Sequence, residues 1–195
     1  MTKSLRLSAA ILLLFLIGLG FVLTSREFLR SLFPVGYIPE IDAIACQHGI
    51  DPYLALAVMR VESNFDPRAQ SKPGARGLMQ ILPETADWIA QMRSESDFSP
   101  EHLYLPEVNI DYGCWYLNYL LEMFDNDIHL TLAAYNAGLG RVKQWLADEE
   151  WDGRPETINA IPFGETRFFV RKVLMIKSMY QWIYPDLFPG MERSM

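Results

Sequence analysis

From residue 38 to residue 184 the apolar residues recur at helical spacing, which restricts the chain to an all-α architecture. Ile110, Cys114, Leu117 and Leu121 fall on one face of a helix predicted from Asn109 to Phe124. Val170, Val173, Leu174 and Ile176 thread a long closing helix from Glu165 to Tyr184. Ile38 to Gly49 reads as a first amphipathic helix. Asp51 is placed to cap a second, with Pro52 at its first position. Pro83 to Met92, Ile128 to Asn136 and Gly140 to Ala147 complete the helical set. Residues 93–108 and 148–164 are turn-rich and polar, and are expected to form loops. A domain of this kind must draw its core from helix-on-helix packing.

The first residues follow a different rule. Leu7 to Leu23 is apolar apart from Ser8, long enough as a helix to cross about 26 Å of hydrocarbon. Lys3 and Arg6 before it favour a cytoplasmic N-terminus, while Arg26 and Arg30 on the far side weaken that preference. The run is either a cleaved signal peptide or a retained anchor. Its length and the lack of a clear A-x-A site favour a single N-terminal transmembrane helix, which puts the remaining domain outside the cytoplasm. The expected organisation is an anchor over residues 1–24, a juxtamembrane linker over 25–37, a domain over 38–184 and a tail over 185–195. Cys46 and Cys114 are the only cysteines; both fall within predicted helices and are read as unpaired, buried thiols, with a disulfide between them outside the cytoplasm as the alternative.

Within the second predicted helix, Leu54, Val58 and Val61 form an apolar stripe, and Glu62 projects between Val58 and Met59 on the same side. Arg60 points the opposite way, to the expected solvent face. Desolvation disfavours the charged carboxylate and raises its pKa. Pro67 and the Ser63-Asn64-Phe65-Asp66 run end the helix just after Glu62, so the negative end of the helix dipole acts in the same direction. A glutamic acid protonated near neutral pH suits general-acid cleavage of a glycosidic bond. Taken alone, a partly buried Glu in an ion pair fits the same pattern.

Three further segments keep Glu62 company. Gly74-Ala75-Arg76-Gly77-Leu78-Met79-Gln80 is a tight loop leading to Pro83. Ala133-Ala134-Tyr135-Asn136-Ala137-Gly138 is an apolar helix with a C-terminal stop. Ile161-Pro162-Phe163-Gly164-Glu165-Thr166-Arg167 opens the last helix. Together and in this order, Glu62-Ser63, Gly77-Leu78-Met79-Gln80, Ala134 to Gly138 and Glu165-Thr166-Arg167 resemble the soluble lytic transglycosylase family, bacterial enzymes that cut the glycan strands of peptidoglycan. The resemblance runs from about Ile38 to about Tyr184.

That resemblance implies a lysozyme-like helical domain with Glu62 as catalytic acid/base and Ser63 in support. It implies that Gly77, Leu78, Met79 and Gln80 line the cleft, with Met79 and Gln80 contacting the sugar near the scissile bond. Tyr135 and Asn136 would position the N-acetylated sugar from the facing helix. Glu165 and Arg167 are expected to brace the cleft as an ion pair. The family often carries a tyrosine two residues after that arginine. Phe169 stands there in this chain, so it is given no catalytic role, and its ring is expected to keep the pocket apolar.

One carboxylate suffices if the substrate assists, and the resemblance implies such a route, which the residues permit. Glu62 would protonate the leaving oxygen while the 2-acetamido carbonyl of N-acetylmuramic acid attacks the anomeric carbon. The Glu62 carboxylate would then take a proton from the C6 hydroxyl, closing a 1,6-anhydro ring. Asp66, Asp125, Asp127 and Glu165 lack the apolar setting of Glu62, and Asp125 and Asp127 look solvated. A hydrolytic muramidase with the same cleft, or a non-catalytic glycan-binding scaffold of a cell-envelope complex, remain alternatives. His48, His102 and His129 fall in no zinc-binding spacing, and neither a metal nor a cofactor is implied. No G-x-S-x-G elbow or Walker loop occurs. A net charge of -7 without a basic stripe excludes nucleic acid as the expected partner. The expected partners are peptidoglycan strands and, through the N-terminal helix, the bacterial cytoplasmic membrane, with the domain facing the periplasm or cell wall. Trp88, Trp115, Trp145 and Trp151 are candidates for sugar stacking, most of them expected in the core.

Overall fold

The computed structural model describes residues 3–189. Contacts divide the chain between Val35 and Gly36 into two units. The first holds α1 (Lys3–Thr24) and α2 (Arg26–Leu32). Ser25 breaks the helix in an extended conformation, and its hydroxyl accepts a hydrogen bond from Phe28 N at 3.2 Å, capping α2. Much of the expected linker is therefore helical. Among the described residues no single helix is long and apolar enough to cross a membrane. Ile11–Val22 and Arg26–Leu32, bent by 60°, meet that requirement of length and composition only as a pair.

The second unit contains α3 (Ile38–Gln47), α4 (Pro52–Glu62), α5 (Pro83–Met92), α6 (Pro106–Met123), α7 (Ile128–Ala137), α8 (Leu139–Ala147) and α9 (Gly164–Ile183). Among the described residues it has no strand, only isolated bridges from Arg76 to Gln70 and Ile81. The two segments expected to be loops each carry a short 3-10 turn, Pro100–Tyr104 and Pro155–Ala160. Leu105 and Pro106 start α6 about a turn earlier than the sequence pattern indicates.

The helices are arranged around α4, which packs against α3, α6 and α9. Asp51 caps it, accepting from Tyr53 N at 2.8 Å. Every residue from Pro52 to Met59 is buried, so the first two turns have no solvent face. Leu56, Val58 and Met59 are fully enclosed. The expected division into an apolar stripe and a polar face survives only in the last turn, where Arg60, Val61 and Glu62 emerge part-way. Full enclosure of a side chain such as Leu56 is worth about 2 kcal/mol. The position of Glu62 is thus set by the best-packed element of the domain.

Tyr53 ties the end of the chain to this core. Its hydroxyl donates to Tyr184 O at 2.5 Å and to Pro185 O at 3.1 Å, and its ring meets Phe188 edge-on at 4.9 Å. Phe188 is buried, so the first residues of the expected tail pack on the domain, while residues 190–195 lie outside the described residues. Both cysteines are unpaired. Cys114 is buried as expected, but Cys46 is exposed. Ile41 and Ala45 supply the inward side of α3, and one residue further turns Cys46 away from it.

Candidate active site

Glu62 ends α4 and is partly buried. Burial is the largest influence on its carboxyl group, the charge of Glu165 adds to it and that of Lys172 opposes it; the resulting pKa is about 8, against an ordinary 4.5. Among the described residues no side chain or backbone group donates a hydrogen bond to it. Ser63 follows as the cap residue, with its hydroxyl donating to Met59 O at 3.2 Å. Ser63 therefore secures the end of α4.

The loop after α4 is held from below by a residue that the motif reading passed over. Asn109, fully buried on α6, accepts from Met79 N at 2.6 Å and donates to Arg76 O at 2.9 Å and Leu103 O at 2.8 Å. Gly77 makes this approach possible. At φ +76°, an added Cβ would lie 2.1 Å from Leu103 O and 2.3 Å from Asn109 Nδ2. Leu78 and Met79 are 0% exposed, and Met79 packs against Gly113. Met79 therefore presents no side chain to a sugar in this conformation, contrary to the expectation from sequence. The Gln80 amide nitrogen turns into its own loop, donating to Ala69 O at 3.1 Å and Gly77 O at 2.9 Å.

Tyr135 joins this loop to α7. Its hydroxyl donates to Met79 O at 2.8 Å, and its ring stacks parallel to Phe169 of α9 at 6.3 Å. Burial, then the charge of Glu62, pushes the Tyr135 phenol well above its usual pKa, so it stays a donor. Asn136 accepts from Thr166 Oγ1 at 2.8 Å, which fixes α7 to the first turn of α9. Glu62, Tyr135 and Phe169 thus come together.

The expected Glu165–Arg167 ion pair does not form. Two residues apart on a helix, their side chains diverge by about 200°. Arg167 donates from Nη1 to Asn159 O at 3.1 Å instead, while Glu165 is exposed and acts on Glu62 through space. Asp127 is also less solvated than expected: it caps α7, accepting from His129 N and Leu130 N. Asp125 is exposed, as anticipated, and so is Asp66. His48 pairs with Asp111 at 2.6 Å, a structural contact between α3 and α6.

Beside Tyr135 opens a groove of about 300 Å³ lined by Glu84, Thr85, Trp88, Tyr116, Tyr119 and Leu139. Trp88 meets Trp115 and Tyr119 edge-on at 5.6 and 5.0 Å, and Trp115 stacks on Tyr119. Tyr116 lies 5.5 Å from the Tyr135 ring, connecting the groove to the surroundings of Glu62. Trp88 and Trp115 are partly exposed, whereas Trp145 and Trp151 are core residues. Among the described residues no group of His, Cys, Asp and Glu is arranged to hold a metal ion.

An acid at the end of a buried helix, a clamped glycine loop and a facing Tyr-Asn helix form one arrangement, and residues 39–158 match the family model described as the transglycosylase SLT domain. The chain belongs to this family. It is 37% identical over 164 residues to the soluble lytic murein transglycosylase of Escherichia coli (strain K12), covering 82% of this chain and 25% of that protein. It is 32% identical over 165 residues to membrane-bound lytic murein transglycosylase C of Actinobacillus pleuropneumoniae serotype 5b (strain L20), covering 74% of this chain and 45% of the relative. The crystal structure of the 70 kDa soluble lytic transglycosylase from Escherichia coli superposes with a TM-score of 0.73 at 35% identity, over 85% of this chain and 28% of that one. The fold of the SLT domain here is accordingly lysozyme-like and all-α. The chain spans about a quarter of the length of the soluble relative.

Proposed function

We propose that this chain is a membrane-associated peptidoglycan lytic transglycosylase, with Glu62 as its single acid/base. The observation that carries the reading is the Glu62 carboxyl group, raised to a pKa of about 8 by burial at the end of α4. At neutral pH it holds a proton that it can give to the glycosidic oxygen between N-acetylmuramic acid and N-acetylglucosamine. The 2-acetamido carbonyl then attacks the anomeric carbon as the leaving oxygen departs with that proton. The Glu62 carboxylate next removes the C6 hydroxyl proton, and the C6 oxygen displaces the acetamido group, leaving a 1,6-anhydro end without consuming water. Glu165 maintains the acidity balance by disfavouring ionised Glu62.

The neighbouring residues support this assignment. Tyr135 and the Asn109 clamp hold the loop wall, Ser63 and Thr166 secure the helix ends, and half-buried Asn136, next to Tyr135, is assigned to the substrate acetamido group. The aromatic groove offers ring faces to pyranose CH groups, as expected for binding that does not depend on attraction to an anionic polymer by an acidic chain. The apolar N-terminal segment, with a relative named as membrane-bound, supports a single-pass anchor in the cytoplasmic membrane and a domain facing the wall.

Mass spectrometry of peptidoglycan digested by the full-length chain tests the reading. Anhydromuramoyl ends from the wild type and none from Glu62→Gln are expected. Reducing muramic ends would make the enzyme a hydrolase, and no products from a folded chain that binds glycan would leave a scaffold.

A further inference from the structure

Four basic side chains project from α9, and three of them are tied to the rest of the domain. Arg167 donates to Asn159 O, Arg171 donates to the Asn159 side-chain oxygen, and Lys177 pairs with Asp51 at 2.8 Å. Lys172 is the exception: among the described residues it forms neither an ion pair nor a hydrogen bond. Its ammonium group rests 5.4 Å from the centre of the Phe168 ring, and Phe168 is 65% exposed. A cation–π contact of this kind holds the side chain in place without neutralising its charge.

The position of Lys172 places that charge within electrostatic reach of Glu62. Glu165, Phe169 and Lys172 recur at i, i+4 and i+7, on one side of α9. Phe169 stacks on Tyr135 from this side, and the charges of Glu165 and Lys172 both act on Glu62. For the acid alone, a neighbouring cation is counterproductive, since it favours loss of the proton that Glu62 must donate. An anion arriving with the substrate would cancel that effect and supply the partner Lys172 lacks.

We propose that Lys172, braced on Phe168, is a subsite for a carboxylate carried by the muramoyl substituent next to the scissile bond. The inference rests on the glycan-cleaving reading above and adds its substrate class. Two sources share this chemistry: the free lactyl carboxylate of a peptide-free strand, and the carboxylates of a stem peptide attached to the lactyl group. Lys172 would favour a strand bearing that charge over its neutral counterpart, acting on affinity more than on the chemical step.

The test measures binding with the full-length chain in detergent, in a Glu62→Gln background that prevents turnover. Lys172, Lys172→Met and Lys172→Arg forms are compared on peptide-free strands, on the same strands with lactyl groups converted to neutral methylamides, and on peptide-bearing strands. Lys172→Met should weaken binding of a charged strand about tenfold, the loss of one partly exposed charge-assisted contact. Lys172→Arg should restore most of it, and the neutral strand should not distinguish the three forms. A response on peptide-free strands identifies the lactyl carboxylate; a response confined to peptide-bearing strands identifies the stem peptide. Equal affinities of the Lys and Met forms on both charged strands, or the same loss on the neutral strand, would overturn the proposal. Charge-dependent binding by a chain whose wild type releases no anhydro products would retain the subsite and reject the reaction; absence of any strand binding would reject both.

Discussion

Replacing Glu62 with Gln is expected to stabilise the protein in alkaline solution while leaving its stability near pH 4 unchanged. The folded carboxyl group keeps its proton up to a pKa of about 8, whereas 4.5 is the ordinary value available to the unfolded chain. The raised value means that folding binds a proton between these two limits. Stability from this group is fully present below pH 4.5, is lost progressively as pH rises, and is gone above about pH 8. Converting the whole shift at 1.36 kcal/mol per unit gives an upper figure of about 5 kcal/mol. The partial exposure of Glu62 lets water screen the ionised form, so about 2 kcal/mol is the expected effect. Urea denaturation of both proteins at pH 4, 6, 8 and 9 measures it. The difference between them cancels the titration of groups common to both, and about 5 °C in Tm is the matching thermal signal. A stability difference that stays constant from pH 4 to pH 9 would refute the claim that burial holds the proton on Glu62.

Gly77→Ala should destabilise the domain by about 3 kcal/mol, measured by urea denaturation, because the new methyl group meets a backbone carbonyl and the Asn109 amide at a positive φ. Trp88→Ala should weaken glycan binding about tenfold in a titration with Glu62→Gln as background, by removing a face of the aromatic groove. Phe169→Tyr adds a hydroxyl to the ring stacked on Tyr135, which itself feels the charge of Glu62; if the new hydroxyl donates to the carboxylate, the alkaline limb of the activity–pH profile moves to lower pH. An unshifted limb with intact folding would show that the hydroxyl points elsewhere.

The helical plan was legible because each helix carries its own punctuation. Asp51-Pro52 and Asp127 mark starts, and apolar residues at three- and four-residue intervals mark inward faces. The unusual setting of Glu62 was legible for the same reason: its neighbours along one helix are local in sequence. What sequence hid depends on segments meeting from afar. Nothing near Asn109 indicates that its three partners will be Arg76, Met79 and Leu103, although a polar residue beside Ile110 on an apolar helix was the available signal. Met79 was expected in the cleft, but Gly113 leaves a hollow into which its side chain packs. Glu165 and Arg167 are opposite charges close in sequence, yet helix geometry sends them apart. Cys46 shows the same limitation in reverse, since one residue of helical rotation separates the buried Ala45 from an exposed thiol.

The three hydrogen bonds of Asn109 also set when the cleft wall can open. Met79 N lies 0% exposed and bonded to a fully buried side chain, although it belongs to a loop. Releasing it would strand the Asn109 amide inside the core, so local fraying offers no inexpensive route to solvent. In deuterium exchange, the Met79 amide should behave like the interior of α4, with protection approaching that of global unfolding. The loop wall beside Tyr135 therefore shares the kinetic fate of the hydrophobic core, and any ligand of the proposed site meets a surface organised before its arrival.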